Sequence, residues 1–345
     1  MTQKEILHVI GWDKKFVKPF RDFVRQNFPE EKHKFIVYGD VPVADLQPSN
    51  DTIFFSSLLK NMLVLSIELY SAKKVVLHGL FSNHLLYVLA IQPWLLKKCF
   101  WVMWGGDLYV HDMPAVDWRR RKDEFFRRVV ISRVGNLVTQ VKGDYELARQ
   151  WYGAKGRYYE CFVYPSNLFR DHLVDSVPHD SINIQLGNSA DPANNHIEAL
   201  EKLAAYKNDN IKIFVPLSYG DEEYAQEVIS CGRAIFGERF VPITKFFPLT
   251  EYLEFLSKID IAVFNHKRQQ AMGNITTLLG MGKKVFIRSD ITSWSFYREL
   301  GVSVFDLNEF GLGLLDQSLA KTNHEKISEY FSEERLLAQL GKIFQ

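Results

Sequence analysis

Short apolar runs alternate with stretches of helical spacing along the whole chain. The runs at 5–10, 34–38, 52–55, 74–77, 100–104, 136–140 and 158–163 have the length of strands. Between them, Phe20, Phe23, Val24 and Phe28 recur at helical intervals, and 62–70, 85–96 and 116–134 read as helices. The second half repeats this rhythm, with strands at 182–186, 211–216, 240–243, 261–264, 284–287 and 302–305. The tail 324–344 reads as an amphipathic helix. Regular strand–helix alternation predicts an α/β protein with parallel, doubly wound sheets. The polar, proline-bounded run YPSNLFRDHLVDSVPHD divides the halves. The expected organisation is a domain over 1–168, a linker over 169–180 and a second domain over 181–322. A C-terminal helix over 323–345 would be free to pack back on the first domain.

The chemistry-bearing residues collect where strands end. After 182–186 come Gly187, Asn188, Ser189, Asn194, Asn195 and His196, then Ile197, Leu200 and Leu203 at helical spacing. After 261–264 come His266, Lys267, Arg268, Gln269 and Gln270, then Gly273, Asn274, Thr276 and Thr277 ahead of another helix. Asn274 fits an N-cap that would leave the two threonines in the first turn. A strand running through such a loop into a helix start directs free N–H groups and the helix dipole at one place, which suits an anion. Tyr219 and Gly220 end a third strand, where a base or ribose would lie. Each has a plainer alternative: self-capping for Asn188, Ser189 and His196, and a surface ion pair for Arg268. In the first half Asp13, His78 and Asp107 directly follow strands. They are candidates for an acid or base at a sheet edge, or for a cap, a held loop and a satisfied histidine.

Composition narrows the partners. The chain has 345 residues, 47% apolar and 14% aromatic, with a formal net charge of +1. That suits two domains of about 150 residues each and gives no argument for nucleic acid. Cys99, Cys161 and Cys231 are too scattered for a disulfide framework or a zinc site. The N-terminus has no signal-peptide hydrophobic region, and no apolar stretch is long enough to span a bilayer, so the expected location is the cytoplasm. WRRRKDEFFRRVVISR, Trp118 to Arg133, interleaves arginines with large apolar residues. With Trp94, Lys97 and Lys98 it is expected to touch an anionic membrane surface; a solvated helix face is the alternative.

Several motifs are missing. No G-x-G-x-x-G follows a strand, and Gly280-Met281-Gly282-Lys283-Lys284 lacks the upstream glycine and the hydroxyl residue of a P-loop. No two aspartates are separated by a single residue, so a D-x-D metal clamp is absent. A bound diphosphate would then be neutralised by Arg268, nearby lysines and helix dipoles. No metal and no cofactor are expected.

LGNSADPANNH (186–196), VPLSYG (215–220), FNHKRQQAMGN (264–274), WGGDLY (104–109), HVIGWD (8–13) and HGLF (78–81) occur in order across the chain. They resemble the 4-acetamido-4,6-dideoxygalactosyltransferases of enterobacterial common antigen synthesis, glycosyltransferase family 56. The resemblance implies a GT-B fold, two Rossmann-like domains with parallel sheets facing across a cleft. It implies inverting transfer of N-acetylfucosamine (Fuc4NAc) from a dTDP donor to an undecaprenyl-diphosphate-linked glycan, by a peripheral protein of the inner membrane. Ala271, Asn274, Pro192 and Ala193 depart from the family pattern beside the donor loops, which leaves a related sugar or polymer open. An inverting transfer needs a base on the acceptor side. Asp13 and Asp107 are the two candidates, with His78 behind them. Two rivals remain, a sugar-nucleotide epimerase needing no acceptor and a non-catalytic sugar-nucleotide-binding subunit.

Overall fold

The computed structural model describes residues 5–42, 45, 49–113, 117–171 and 179–345. Residues 172–178 of the expected linker, and 114–116 ahead of the basic helix, lie outside the described residues. The chain forms two compact units. One comprises Met1–Leu168 with Glu333–Gln345, the other Phe169–Ser332.

The first unit carries β1 (Glu5–Gly11), β2 (Lys32–Tyr38), β3 (Thr52–Phe55), β4 (Lys74–His78), β5 (Cys99–Val102), β6 (Asn136–Val138) and β7 (Arg157–Tyr159). These form one parallel sheet in the order β3-β2-β1-β4-β5-β6-β7. Its helices are α1 (Val17–Asn27), α2 (Met62–Ser71), α3 (Asn83–Ile91), α4 (Trp118–Ile131) and α5 (Lys142–Tyr152). Leu7, Val9, Val75, Leu77 and Trp101 bury one sheet face beneath α2, α3, α4 and α5. Strands covered on both faces lose the in–out alternation of an exposed sheet, which is why they read as continuous apolar runs.

The second unit carries β8 (Ile182–Leu186), β9 (Ile211–Pro216), β10 (Phe240–Ile243), β11 (Ile261–Phe264), β12 (Lys284–Ile287) and β13 (Phe305–Asp306). Its sheet is also parallel, in the order β10-β9-β8-β11-β12-β13. Its helices are α6 (His196–Leu203), α7 (Glu222–Phe236), α8 (Leu249–Ser257), α9 (Met272–Gly280), α10 (Thr292–Glu299) and α11 (Gln317–Tyr330). The last helix, α12 (Glu333–Phe344), belongs to the first unit. There Gln339 Oε1 accepts from Phe162 N–H at 3.2 Å, and Lys74 Nζ donates to Ile343 O at 2.8 Å.

Four expected elements differ. The helix read over 85–96 ends at Ile91, and Pro93 starts a 3-10 turn over Pro93–Lys98, because proline cannot continue an α-helix. The strand read over 302–305 begins only at Phe305. The strand read over 158–163 is the short β7, which ends at Tyr159, and farther along Val163 takes a left-handed φ of 58°. The single tail helix is two, broken where Phe331 leaves helical geometry at ψ 31° and buries its ring against Phe296 and Tyr330.

Candidate functional site

Ligands of doubly wound sheets bind outside the carboxyl ends of the strands, where strand order reverses direction. In the second unit that point lies between β8 and β11. The two loops singled out by the sequence are the ones that follow those strands.

The loop after β8 is tightly determined. Gly187 has a φ of +68°, and a Cβ there would lie 2.3 Å from His196 Nε2 and 2.8 Å from Asn194 Oδ1. Only glycine fits this turn. The organising side chain is Asn194, which is fully buried. Its Oδ1 accepts from Asn188 N–H at 3.0 Å and from His266 Nε2 at 2.9 Å. Its Nδ2 donates to Asp191 O at 3.0 Å and Ser189 Oγ at 3.3 Å. Asn195, in the left-handed region at φ 48°, donates to Asn265 O at 3.1 Å, and Asn265 Nδ2 returns a bond to Asn195 O at 3.2 Å. The two loops are thus stitched across the switch point by asparagines. Tyr219 enters from the third strand. Its O accepts from Ala190 N–H at 2.7 Å, and its hydroxyl accepts from Asn188 Nδ2 at 3.2 Å.

Among the described residues, the acceptor atoms buried at this place without a hydrogen-bond partner include Asn188 Oδ1, Gln269 Oε1 and Gln270 Oε1. Unpaired buried acceptors are costly unless a ligand supplies O–H or N–H donors. Arg268 is lightly held. Its Nη2 lies 3.8 Å from Asp191 Oδ2, and its other contact is a 3.4 Å bond to the carbonyl of Gln269. Helix α9 starts directly after it, from Ala271 at φ 57°, with no side chain capping its first N–H groups. An uncapped N-terminus and a loosely paired guanidinium are chemically suited to an anion.

Other sequence candidates sit differently. Asn274 is not the N-cap: it lies inside α9, and its Oδ1 accepts from the Tyr252 hydroxyl at 2.5 Å. Gly273 is also in the first turn of α9, with its carbonyl taken by Thr277 Oγ1 at 2.8 Å. Thr276 is buried and shares a 3.2 Å hydrogen bond with Tyr297. Ser189 and His196 are buried under the loop, so they shape it from within. His266 is no cation. It is buried against Asn194, and desolvation first, then Arg268, hold its pKa down to about 3. Asn194 stood among the loop's donor side chains in the sequence without its organising role, and Asn265 was not singled out, although it stands beside residues that were.

In the first unit the switch point falls between β1 and β4. Asp13 follows β1 and is half-buried. Its Oδ1 accepts from Lys15 N–H at 2.8 Å, and its carbonyl accepts from Val17 N–H at 2.9 Å, so it also shapes the entry to α1. Asp107 is not on a rim. It is fully buried, with Oδ2 accepting from Trp101 Nε1 at 2.7 Å and Leu80 N–H at 3.0 Å, and Oδ1 from Trp104 N–H at 2.9 Å. Burial pushes its pKa up and the three N–H donors oppose that rise. The bond to Leu80 ties the loop after β5 to the loop after β4, and those to Trp101 and Trp104 hold the same loop to its own strand end, so both carboxylate oxygens are engaged. His78 is buried as well. Its Nδ1 lies 2.7 Å from Tyr164 Oη and its Nε2 3.1 Å from His8 Nδ1, while His8 Nε2 lies 2.9 Å from His33 Nδ1. One consistent set of tautomers runs in a single direction: Trp104 Nε1–H to Tyr164, Tyr164 O–H to His78, His78 to His8 and His8 to His33. Trp101 is core, as expected of a strand residue facing the helices.

The buried histidines give a pH prediction. Burial lowers His78 and His266 to about 3, and His33 and His196 to about 4. Each is neutral when folded but protonates near its ordinary 6.5 when unfolded. The unfolded state therefore binds more protons as pH falls through 6.5, and stability drops from there down to the folded values. The urea midpoint is expected to fall steadily between about pH 6.5 and 4, above the range where most carboxylates titrate. A midpoint constant across that window would contradict the neutral assignment.

Over residues 3–332 the sequence matches the family described as 4-alpha-L-fucosyltransferase, glycosyl transferase group 56. The chain belongs to this family. It is therefore a glycosyltransferase. Solved structures share its fold at low identity. A glycosyltransferase from Rickettsia africae is 11% identical with a TM-score of 0.68, covering 100% of this chain and 98% of that one. Sucrose-phosphate synthase from Thermosynechococcus elongatus is 10% identical with a TM-score of 0.67, covering 99% and 98%. A putative UDP-N-acetylglucosamine 2-epimerase from Listeria monocytogenes is 13% identical with a TM-score of 0.55, covering 99% and 96%. The fold is the GT-B fold of two parallel α/β units, and it also serves an epimerase. The family match, not the fold, makes this chain a transferase.

Proposed function

We propose that this family 56 glycosyltransferase moves Fuc4NAc or a related deoxy-amino sugar from a dTDP donor to an undecaprenyl-diphosphate-linked glycan. The observation that carries the donor half is the stitched pair of loops at the second switch point. A loosely paired Arg268 and the open start of α9 suit the diphosphate. The unpartnered acceptors of Asn188, Gln269 and Gln270 suit the N–H and O–H groups of a base and sugar. Transfer proceeds with inversion, and Asp13 takes the proton of the acceptor hydroxyl, since Asp107 and His78 are both buried and engaged. No metal takes part, because cation and helix dipole already face the diphosphate. No cofactor beyond the donor substrate is needed.

Work at a lipid-linked acceptor places the protein on the cytoplasmic face of the inner membrane. Among the described residues, no helix is long and apolar enough to cross a bilayer. Contact through α4 is supported by Trp118 and Phe125, which are 67% and 62% exposed, and by exposed Arg119 and Arg121. Arg127 in the same segment is excluded, being buried and donating to Leu80 O and Asp107 O at 2.9 and 3.0 Å.

Transfer from a dTDP-sugar to a synthetic undecaprenyl-diphosphate acceptor tests this reading. Product of inverted anomeric configuration should form at an undiminished rate in EDTA. Activity abolished by EDTA and restored by Mg²⁺ or Mn²⁺ would overturn metal independence. A sugar-nucleotide epimer formed without acceptor would overturn transfer itself.

A further inference from the structure

The first unit has an apolar surface that neither the loops nor α4 account for. Helix α2, MLVLSIELYS, is apolar almost all round, yet it lies at the surface. Leu65 and Leu69 bury its inner side. Outside, Leu63, Ile67 and Tyr70 are 75%, 57% and 73% exposed, and Leu59 just before the helix is 55% exposed. A surface helix normally turns polar residues outward. The 3-10 turn next to it continues the patch with Trp94, 61% exposed. The two segments are fastened together: Gln92 Nε2 donates to Ser66 Oγ at 3.0 Å, and Lys98 Nζ to Tyr70 O at 2.9 Å. Helices α2, α3 and α4 bury their inner sides in one cluster on one sheet face, so α4 lies in the same layer.

The border of this patch is cationic. Lys60, Lys73 and Lys97 are exposed around it. The acid on α2, Glu68, is already bound to Lys34 at 2.6 Å. Two copies of the chain meeting across α2 by a two-fold axis would set these lysines against each other with no free acid on α2 between them. An anionic bilayer meets both demands, with acyl chains for the leucine, isoleucine and tryptophan and headgroup phosphates for the lysines.

We propose that α2, with Trp94, is the element that sinks into the bilayer interface, while the arginines of α4 supply long-range attraction. This rests on the reading of the protein as peripheral to a membrane. It moves the anchoring contact from α4 to α2.

Co-sedimentation of the full chain with vesicles of phosphatidylcholine containing phosphatidylglycerol tests it. The paired variant Leu63→Glu, Ile67→Glu should lose roughly tenfold or more in partitioning, given what burying one large apolar side chain is worth. Its thermal midpoint should stay that of the parent, because both side chains are exposed. The α4 variant Arg119→Glu, Arg121→Glu should bind more weakly at low salt, with a shallower dependence on salt, yet retain the part of its binding that α2 supplies. If the parent itself ignores these vesicles, the membrane reading fails and this inference with it. If the parent binds and the α2 variant binds equally well, only the assignment to α2 is overturned. A concentration-dependent dimer of the parent, abolished by Leu63→Glu, Ile67→Glu, would assign the face to a second copy and overturn the proposal too.

Discussion

Asp13→Asn is expected to lower turnover by about 10²–10⁴, the usual worth of a general base. Asparagine can still accept the Lys15 N–H bond through its side-chain oxygen, so the turn into α1 should survive the change. It cannot take a proton from an acceptor hydroxyl. Donor affinity should hardly move, because the donor loops belong to the other unit. Steady-state rates with a saturating donor, paired with nucleotide titration, separate these effects. Near-normal turnover in a folded variant would remove Asp13 from the reaction. Asp107→Asn is the informative companion. Its N–H₂ group would take the place of one carboxylate oxygen and face either the donors of Trp101 and Leu80 or that of Trp104, and so the change is expected to lower stability as well as rate.

Arg268→Ala should weaken dTDP binding by roughly 1.5–3 kcal/mol, about 10- to 150-fold, the range for charge-assisted hydrogen bonds. The resting guanidinium gives up little to reach a diphosphate, since its nearest carboxylate is 3.8 Å away. A lysine at the same place would keep the charge but lose the fork, and is expected to recover only part of the affinity. Isothermal titration with dTDP reads this directly. An unchanged dissociation constant in a folded variant would rule out the role.

The fold was legible because the central strands are buried along nearly their whole length and so announce themselves as apolar runs. The two loops at the second switch point were legible as loops because each apolar run breaks into a polar, donor-rich segment ahead of a helix. What composition could not reveal was direction. Ser189, His196, His266 and Thr276 have the chemistry of ligand-binding residues, but each points into the protein. Asn194 and Asn265 carry the architecture because their partners lie across the loops, more than sixty residues away for the bonds between His266 and Asn194 and between Asn265 and Asn195. Asp107 misled because its two preceding glycines suggested an open approach to a ligand. Its carboxylate instead closes the loop upon Trp101 and Leu80. His78 likewise follows a strand directly, and only tertiary structure links it to His8, His33 and Tyr164.

We propose that the stitched loops of the second unit hold a deoxythymidine-diphosphate sugar. Thermal unfolding of the full chain with dTDP, UDP, GDP and CMP at equal concentration tests it most directly, since a ligand that binds only the folded state raises the midpoint. The account predicts the largest rise with dTDP, and a much smaller one in Arg268→Ala. A greater rise with any of the other three nucleotides, or a dTDP shift untouched by Arg268→Ala, would contradict it.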